Sequence, residues 1–358
     1  MKRFGRLIWI LFSCLPAIAE QPLRLCDIVE DNDVAAPVEQ NLEAAQVLER
    51  IQSDWNLRAT DAAVAAQRLE AEGDDMPDKV VGHLRWVIRN NDGEPERTAY
   101  WLLNELGLGG RADVADQFIA GLNDEQASVR RTSADGLGVA PSSKRPEAWL
   151  ALIGRLPKTS YPGAHHSVLD SLEQLASPDL KGGSDILLAE FKAGPPDGVS
   201  DGLLKEWKAK VAAALIGVRG PEEALAEFRK LDLDDPVERI ATAGALQALT
   251  IYAGENFPEM DPERRDRLRD LLRDYGIDLL AKDDTLENAE RNGDVRKGVA
   301  YLFVWAVLGQ GEPRAQDVRA ISAAVDAAVR VEPLETRAAE LFSAIRTLLE
   351  RKEFREAR

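Results

Sequence analysis

Asp235-Pro236-Val237-Glu238-Arg239-Ile240-Ala241-Thr242-Ala243-Gly244-Ala245-Leu246-Gln247-Ala248-Leu249 spells one helix from its cap inward. Asp235 offers a side-chain acceptor to the first unpaired N–H groups, Pro236 stands where a missing N–H costs nothing, and Glu238 is placed to close a capping box. Val237, Ile240, Ala241, Gly244, Ala245, Ala248 and Leu249 then share one face at helical spacing. Most of that face is small. A stripe of this kind suits a helix pressed onto its neighbours at the usual separation of about 8–10 Å.

The same grammar extends over the rest of the chain. Val295, Val299, Leu302, Phe303 and Ala306 fall at i, i+4, i+7, i+8 and i+11, again one helical face. Asp261-Pro262 repeats the opening of a helix, and Pro37, Pro77, Pro146, Pro221 and Pro333 stand just ahead of periodic apolar stretches. Strand-type alternation over five or more residues is missing, and the β-branched clusters sit inside helical stripes. The spacing predicts an all-α fold from Pro37 onward, with about fourteen to seventeen helices joined by short loops. Trp55, Trp86, Trp101, Trp149, Trp207 and Trp305 are expected as large fillers between helices. The loosest stretches, 193–201 and 281–293, read as longer connections within one helical body over residues 37–358.

The leader has a different composition. Lys2, Arg3 and Arg6 precede an apolar run from Leu7 to Leu15, which ends at Ala17-Ile18-Ala19. This pattern predicts a signal peptide over residues 1–19, cut between Ala19 and Glu20, and hence a periplasmic or secreted protein. A spanning helix wants roughly 20 apolar residues, and Pro16 with the acidic stretch 27–33 closes this one early, so no membrane insertion is expected after cleavage. Leu11-Phe12-Ser13-Cys14 loosely resembles a lipobox, which Phe12 fits badly. Residues 20–36 show little helical pattern and are expected as an extended or disordered arm.

Charge and thiols narrow the function classes. Residues 1–19 carry three positive charges and no negative one, so a chain cut there holds −20 in place of −17. So acidic a surface repels phosphate backbones and anionic headgroups, which disfavours nucleic acid and membrane surfaces and favours a partner of basic character. Charge that serves solubility alone is the open alternative. Cys14 leaves with the leader, and Cys26 alone cannot form an internal disulfide. A small buried hydrophobe or an interchain bridge are the two roles open to it.

Leu122-Asn123-Asp124, followed by Val129-Arg130-Arg131-Thr132-Ser133-Ala134-Asp135-Gly136-Leu137-Gly138, resembles the second-helix signature of HEAT repeats. In that family an Asp-containing turn leads to Val-Arg and an Ala-rich run ending in Leu-Gly. Gly293-Asp294-Val295-Arg296, with Ala300 and Phe303, looks like a second copy, 166 residues on and close to four units of about 41. Asp235 to Arg239 is a looser third copy, and Glu96-Arg97 before Trp101 and Thr336-Arg337 before Leu341 are fainter echoes. Arg130 and Arg239 stand 109 residues apart, which does not divide evenly. The match touches about half of the chain after the leader. It implies an α-solenoid of antiparallel helix pairs, with an irregular helical bundle or an α/α toroid as alternatives.

The stock of reactive residues is thin. His83, His165 and His166 are the histidines, and Asp170 at i+4 from His166 is the nearest second ligand. Ser167 lacks a Gly-x-Ser-x-Gly elbow. Gly107-Leu108-Gly109-Gly110 lacks the strand and the Lys-Ser/Thr of a phosphate loop, and suits a helix C-cap and turn. Asp74-Asp75, Asp234-Asp235 and Asp283-Asp284 lack a twelve-residue calcium loop around them and read as solvated turns. Lytic transglycosylases also carry a helical superhelix, but their catalytic Glu-Ser before Gly-Leu-Met-Gln has no counterpart here.

No catalytic, cofactor-binding or metal-binding residue is therefore assigned, and no cofactor. The sequence leads to an exported, non-enzymatic scaffold that binds a protein or peptide through an acidic solenoid surface. An all-helical enzyme or ligand binder with a carboxylate-lined pocket is the alternative. Partner-binding residues and oligomeric state are not read from it.

Overall fold

The computed structural model describes residues 41–53, 62–158, 162–180, 182–195, 198–282, 286–309, 314–331 and 337–350. The leader, the Ala19–Glu20 junction, the arm 20–36, both cysteines, Pro37, Trp55, Asp283-Asp284 and Pro333 lie outside them. Every regular element among the described residues is helical, with seventeen α-helices and no strand. The fold is all-α. By internal contacts the chain divides after Leu175 into two compact units, residues 1–175 and 176–358. The division falls outside both of the loose stretches 193–201 and 281–293.

The first unit holds α1 (Leu42–Ser53), α2 (Ala62–Glu70), α3 (Met76–Asn90), α4 (Glu94–Glu105), α5 (Ala112–Gly121), α6 (Ala127–Leu137), α7 (Arg145–Ile153) and α8 (Pro162–Leu175). The second holds α9 (Ser184–Lys192), α10 (Asp201–Arg219), α11 (Pro221–Phe228), α12 (Pro236–Asn256), α13 (Pro262–Ala281), α14 (Leu286–Arg291), α15 (Gly293–Leu302), a π-helical extension (Phe303–Leu308), α16 (Ala315–Val331) and α17 (Arg337–Leu349).

Proline and aspartate start these helices as the sequence predicts. Pro77, Pro146, Pro221, Pro236 and Pro262 each stand in a first turn. Asp235 Oδ1 accepts from the N–H groups of Val237 at 2.8 Å and Glu238 at 2.9 Å, and Asp261 caps α13 in the same way. The capping box departs from expectation. Glu238 reaches past the cap residue, and its carboxylate accepts the N–H of Asp232 at 2.7 Å, which pins the loop ahead of α12.

Within each unit, neighbouring helices pack as pairs whose second members touch in succession. In the first unit α3 packs on α4, α5 on α6 and α7 on α8, while α4 meets α6 and α6 meets α8. In the second, α10, α12, α15 and α17 form the corresponding series, with α13 packed on both α15 and α16. The predicted stripes are the contact surfaces: Ala241, Ala245 and Leu249 of α12, Val295, Val299 and Leu302 of α15, and Phe303 and Ala306 of the π-helical extension are all buried. Trp86, Trp149 and Trp207 fill cores as expected, and Trp101 is half-buried. Trp305 corrects the expectation, being 57% exposed. It stands one residue before the buried Ala306 in the π-helical extension, and successive side chains of a helix point in different directions.

The arginine markers sort differently from the sequence reading. Arg130 Nη1 donates to the Asp124 carbonyl at 2.8 Å, and Arg239 Nη1 donates to the Leu233 carbonyl at 3.0 Å. Both span six residues and tie a second helix to its preceding turn. Arg296 instead is buried, donates to the Ala328 carbonyl at 3.1 Å and lies over the Phe342 ring. The looser copy is thus the structural equivalent of Arg130.

Close approach leaves no room at Gly244. A methyl built there would stand 2.8 Å from Ala209 N and 2.9 Å from Lys208 C, against the backbone of α10. Helix propensity alone would make Gly244→Ala stabilising by about 1 kcal/mol. We expect the reverse, a loss of about 1–3 kcal/mol from overpacking, read as a lower urea midpoint.

Candidate functional site

The series α4, α6 and α8 presents a face on which charge is only partly hydrated. Trp101, Asn104 and Glu105 lie on α4, Arg131 and Asp135 on α6, and His166, Asp170 and Glu173 on α8, all of them half-buried except the exposed Arg131. Burial raises the Glu105 carboxyl above the usual carboxylate range, and the charge of Asp135 pushes it the same way. Burial raises the Asp135 carboxyl to about 6, although the Ser167 hydroxyl donates to it and Arg131 favours its ionised form. Asp170 opposes that ionisation from α8. Among the described residues, neither Glu105 nor Asp135 has an ion-pair partner.

Packing holds these groups in place. Ser171 donates from α8 to the Ala134 carbonyl of α6 at 2.6 Å in a buried contact. A methyl built on Gly109 would stand 2.7 Å from the Gly136 carbonyl oxygen, so the turn after α4 rests on the end of α6. Toward the start of α4, Glu96 continues the acidic character. Burial raises its carboxyl, Asp124 and Asp92 add to the shift, and Gln126 donates to it at 3.2 Å.

A second feature lies in the other unit. A recess of about 240 Å³ is lined by Asp232, Asp234, Lys282, Asn288, Arg291 and Asn292. Arg291 pairs with Asp234 at 2.7 Å and donates to Asn288 at 2.9 Å, so much of its charge is satisfied internally.

Of the residues weighed for chemistry, His165, His166, Ser167 and Asp170 lie along α8, with Ser167 and Asp170 beside Asp135, and the others stand elsewhere. His165 is buried, while His166 lies 3.2 Å from Asp170 across one helical turn. Ser167 is buried beside Asp135. Gly107 takes the left-handed conformation at φ 71° and turns the chain after α4, as a C-cap should. Asp75 pairs with Lys79 at 2.8 Å, and Asp235 caps α12. Among the described residues, no group of three His, Cys, Asp or Glu is placed to hold a metal ion, and no helix is long and apolar enough to cross a membrane.

Sequence reasoning missed the Glu105, Asp135 and Asp170 series. Their separations of 30 and 35 residues approximate one helix pair per step, a signal that has meaning only once those helices are known to lie side by side. Comparison of the chain with protein-family models and with curated proteins finds no match.

His83 on α3 supplies a test of the electrostatics in this unit. It is 1% exposed and stacks on Trp86, and its Nδ1 has no hydrogen-bond partner among the described residues. Burial lowers its pKa from 6.5 to about 4. A lowered pKa means the folded state resists protonation, so stability is full above pH 6.5 and is lost as pH falls toward 4. The loss is about 3 kcal/mol at most. Urea unfolding of His83→Leu should show that acid-dependent loss abolished.

Proposed function

We propose that this protein is an exported, non-enzymatic scaffold that holds a basic protein or peptide against an acidic face of HEAT-like stacked helix pairs. The observation that carries this reading is the α4–α6–α8 face, where half-buried Glu105 and Asp135 stand on adjacent helices without an ion-pair partner among the described residues. Carboxylates in that position gain from an incoming cation, because the desolvation is already in place before the partner arrives. Half-exposed Trp101 on the same face offers a flat surface for aliphatic stems or a guanidinium. Export is supported by the basic, apolar and small-residue order of the first nineteen residues, and basic partners by the charge of −20 that remains after them.

The test uses the chain from Glu20 onward and three labelled peptides of equal length, Lys/Arg-rich, neutral and acidic, followed by fluorescence anisotropy. The basic peptide should bind, weakening on the order of tenfold between low and moderate salt. A Glu105→Gln, Asp135→Asn double variant should lose most of that binding. Equal binding of the neutral peptide, or indifference to salt, would overturn the assignment. Mass spectrometry of protein made with its leader should show a mature chain beginning at Glu20.

A further inference from the structure

The recess in the second unit is walled by two pieces of chain, each held by its own hydrogen bonds. One wall is the loop ahead of α12. Glu238 accepts the N–H of Asp232 at 2.7 Å, Asp232 Oδ1 accepts the N–H of Asp234 at 3.0 Å, and Arg239 donates to the Leu233 carbonyl at 3.0 Å. The other wall is the passage from α14 into α15. There the N–H of Asn292 donates to the Asn288 carbonyl at 2.9 Å, and that of Arg296 to the Asn292 carbonyl at 3.0 Å. Arg291 joins the walls through its 2.7 Å pair with Asp234. Lys282, directly after α13, and the buried Asn292 also line the space.

Two lining charges remain once that pair is made. Asp232 and Lys282 have no ion-pair partner among the described residues, and they do not pair with each other across the recess. Asp232 engages one carboxylate oxygen within its own loop, which leaves the second for a ligand. A lone cation entering here would meet Lys282 and Arg291, and a lone anion would meet Asp232 and Asp234. A molecule that carries both signs finds an opposite charge for each end.

Size and polarity narrow the ligand further. The volume of about 240 Å³ is room for roughly eight waters. That is below the roughly 300–1,000 Å³ of sites that take drug-sized ligands, and sites of that kind are mostly apolar. Here Leu233 alone among the described lining residues is apolar, so a hydrophobic side chain would gain little.

We propose that this recess binds a small free α-amino acid with a polar side chain, its ammonium group on Asp232 and its carboxylate on Lys282. Asn288 and Asn292 give the side chain polar surroundings, and the Arg291–Asp234 pair keeps the two walls in register. The recess belongs to the second unit and the acidic face of α4, α6 and α8 to the first, so neither assignment depends on the other.

The experiment is ligand-observed saturation-transfer NMR on the chain from Glu20 onward, with L-serine, L-asparagine and L-glutamine as probes. Each is compared with its N-acetyl form, which lacks the ammonium group, and its α-carboxamide, which lacks the carboxylate. At least one free amino acid should bind saturably, and blocking either end should weaken it about tenfold, as expected for loss of a charge-assisted hydrogen bond. Asp232→Asn keeps an acceptor for the Asp234 N–H, and Lys282→Met keeps an aliphatic stem at an exposed position, so both variants should retain the wild-type circular dichroism spectrum. Each should weaken binding about tenfold. Absence of saturable binding by all three amino acids, equal binding of the blocked forms, or wild-type affinity in both variants would overturn the proposal.

Discussion

The arrangement of the second unit rests on the approach of α12 to α10, which is close enough that the backbone of Lys208 and Ala209 occupies the space a side chain at Gly244 would need. Approach at this distance brings several other features with it. Lys208 is carried into the interior, where its ammonium group donates to the carbonyls of Glu190 and Ala193, both at 2.6 Å, and so closes the end of α9. Burial lowers that lysine's pKa to about 8, yet the carbonyl ends of a helix are where a cation is favoured. A small-residue stripe, a buried cation and a helix cap are thus parts of one contact.

The same constraint shapes the first unit, with a different electrostatic outcome. Gly136 accepts the Phe118 ring where a side chain would stand, and Gly109 lets the turn after α4 settle on α6. In the second unit close approach delivers a lysine to helix carbonyls. In the first it delivers Glu105 and Asp135 to helix ends that disfavour them. Small residues at the contacts explain both, because they set how near two helix ends come before any charge is considered.

Close packing also separates this acidic face from ordinary surface charge. Many acidic side chains elsewhere are answered locally, as Asp75 is by Lys79 and Asp116 by Lys144, both at 2.8 Å. Around Asp317 the answer is a network, in which Arg273 and Arg314 bracket a carboxylate that is 1% exposed. Glu105 and Asp135 lack such answers among the described residues. Their proton affinity reports that difference, since burial without a paired cation disfavours the charged form.

Helix content, helix starts and core stripes were legible in the sequence because each depends on residues within about two turns of one another. Asp235 with its cap bonds, the prolines of the first turns, and Val295 through Ala306 are of this kind. The exposure of Trp305, the reach of Glu238 to Asp232, and the equivalence of Arg239 rather than Arg296 to Arg130 were decided by how whole helices pack. So was the acidic face. Glu105, Asp135 and Asp170 are separated by 30 and 35 residues of chain, and their mutual repulsion exists only once α4, α6 and α8 lie side by side.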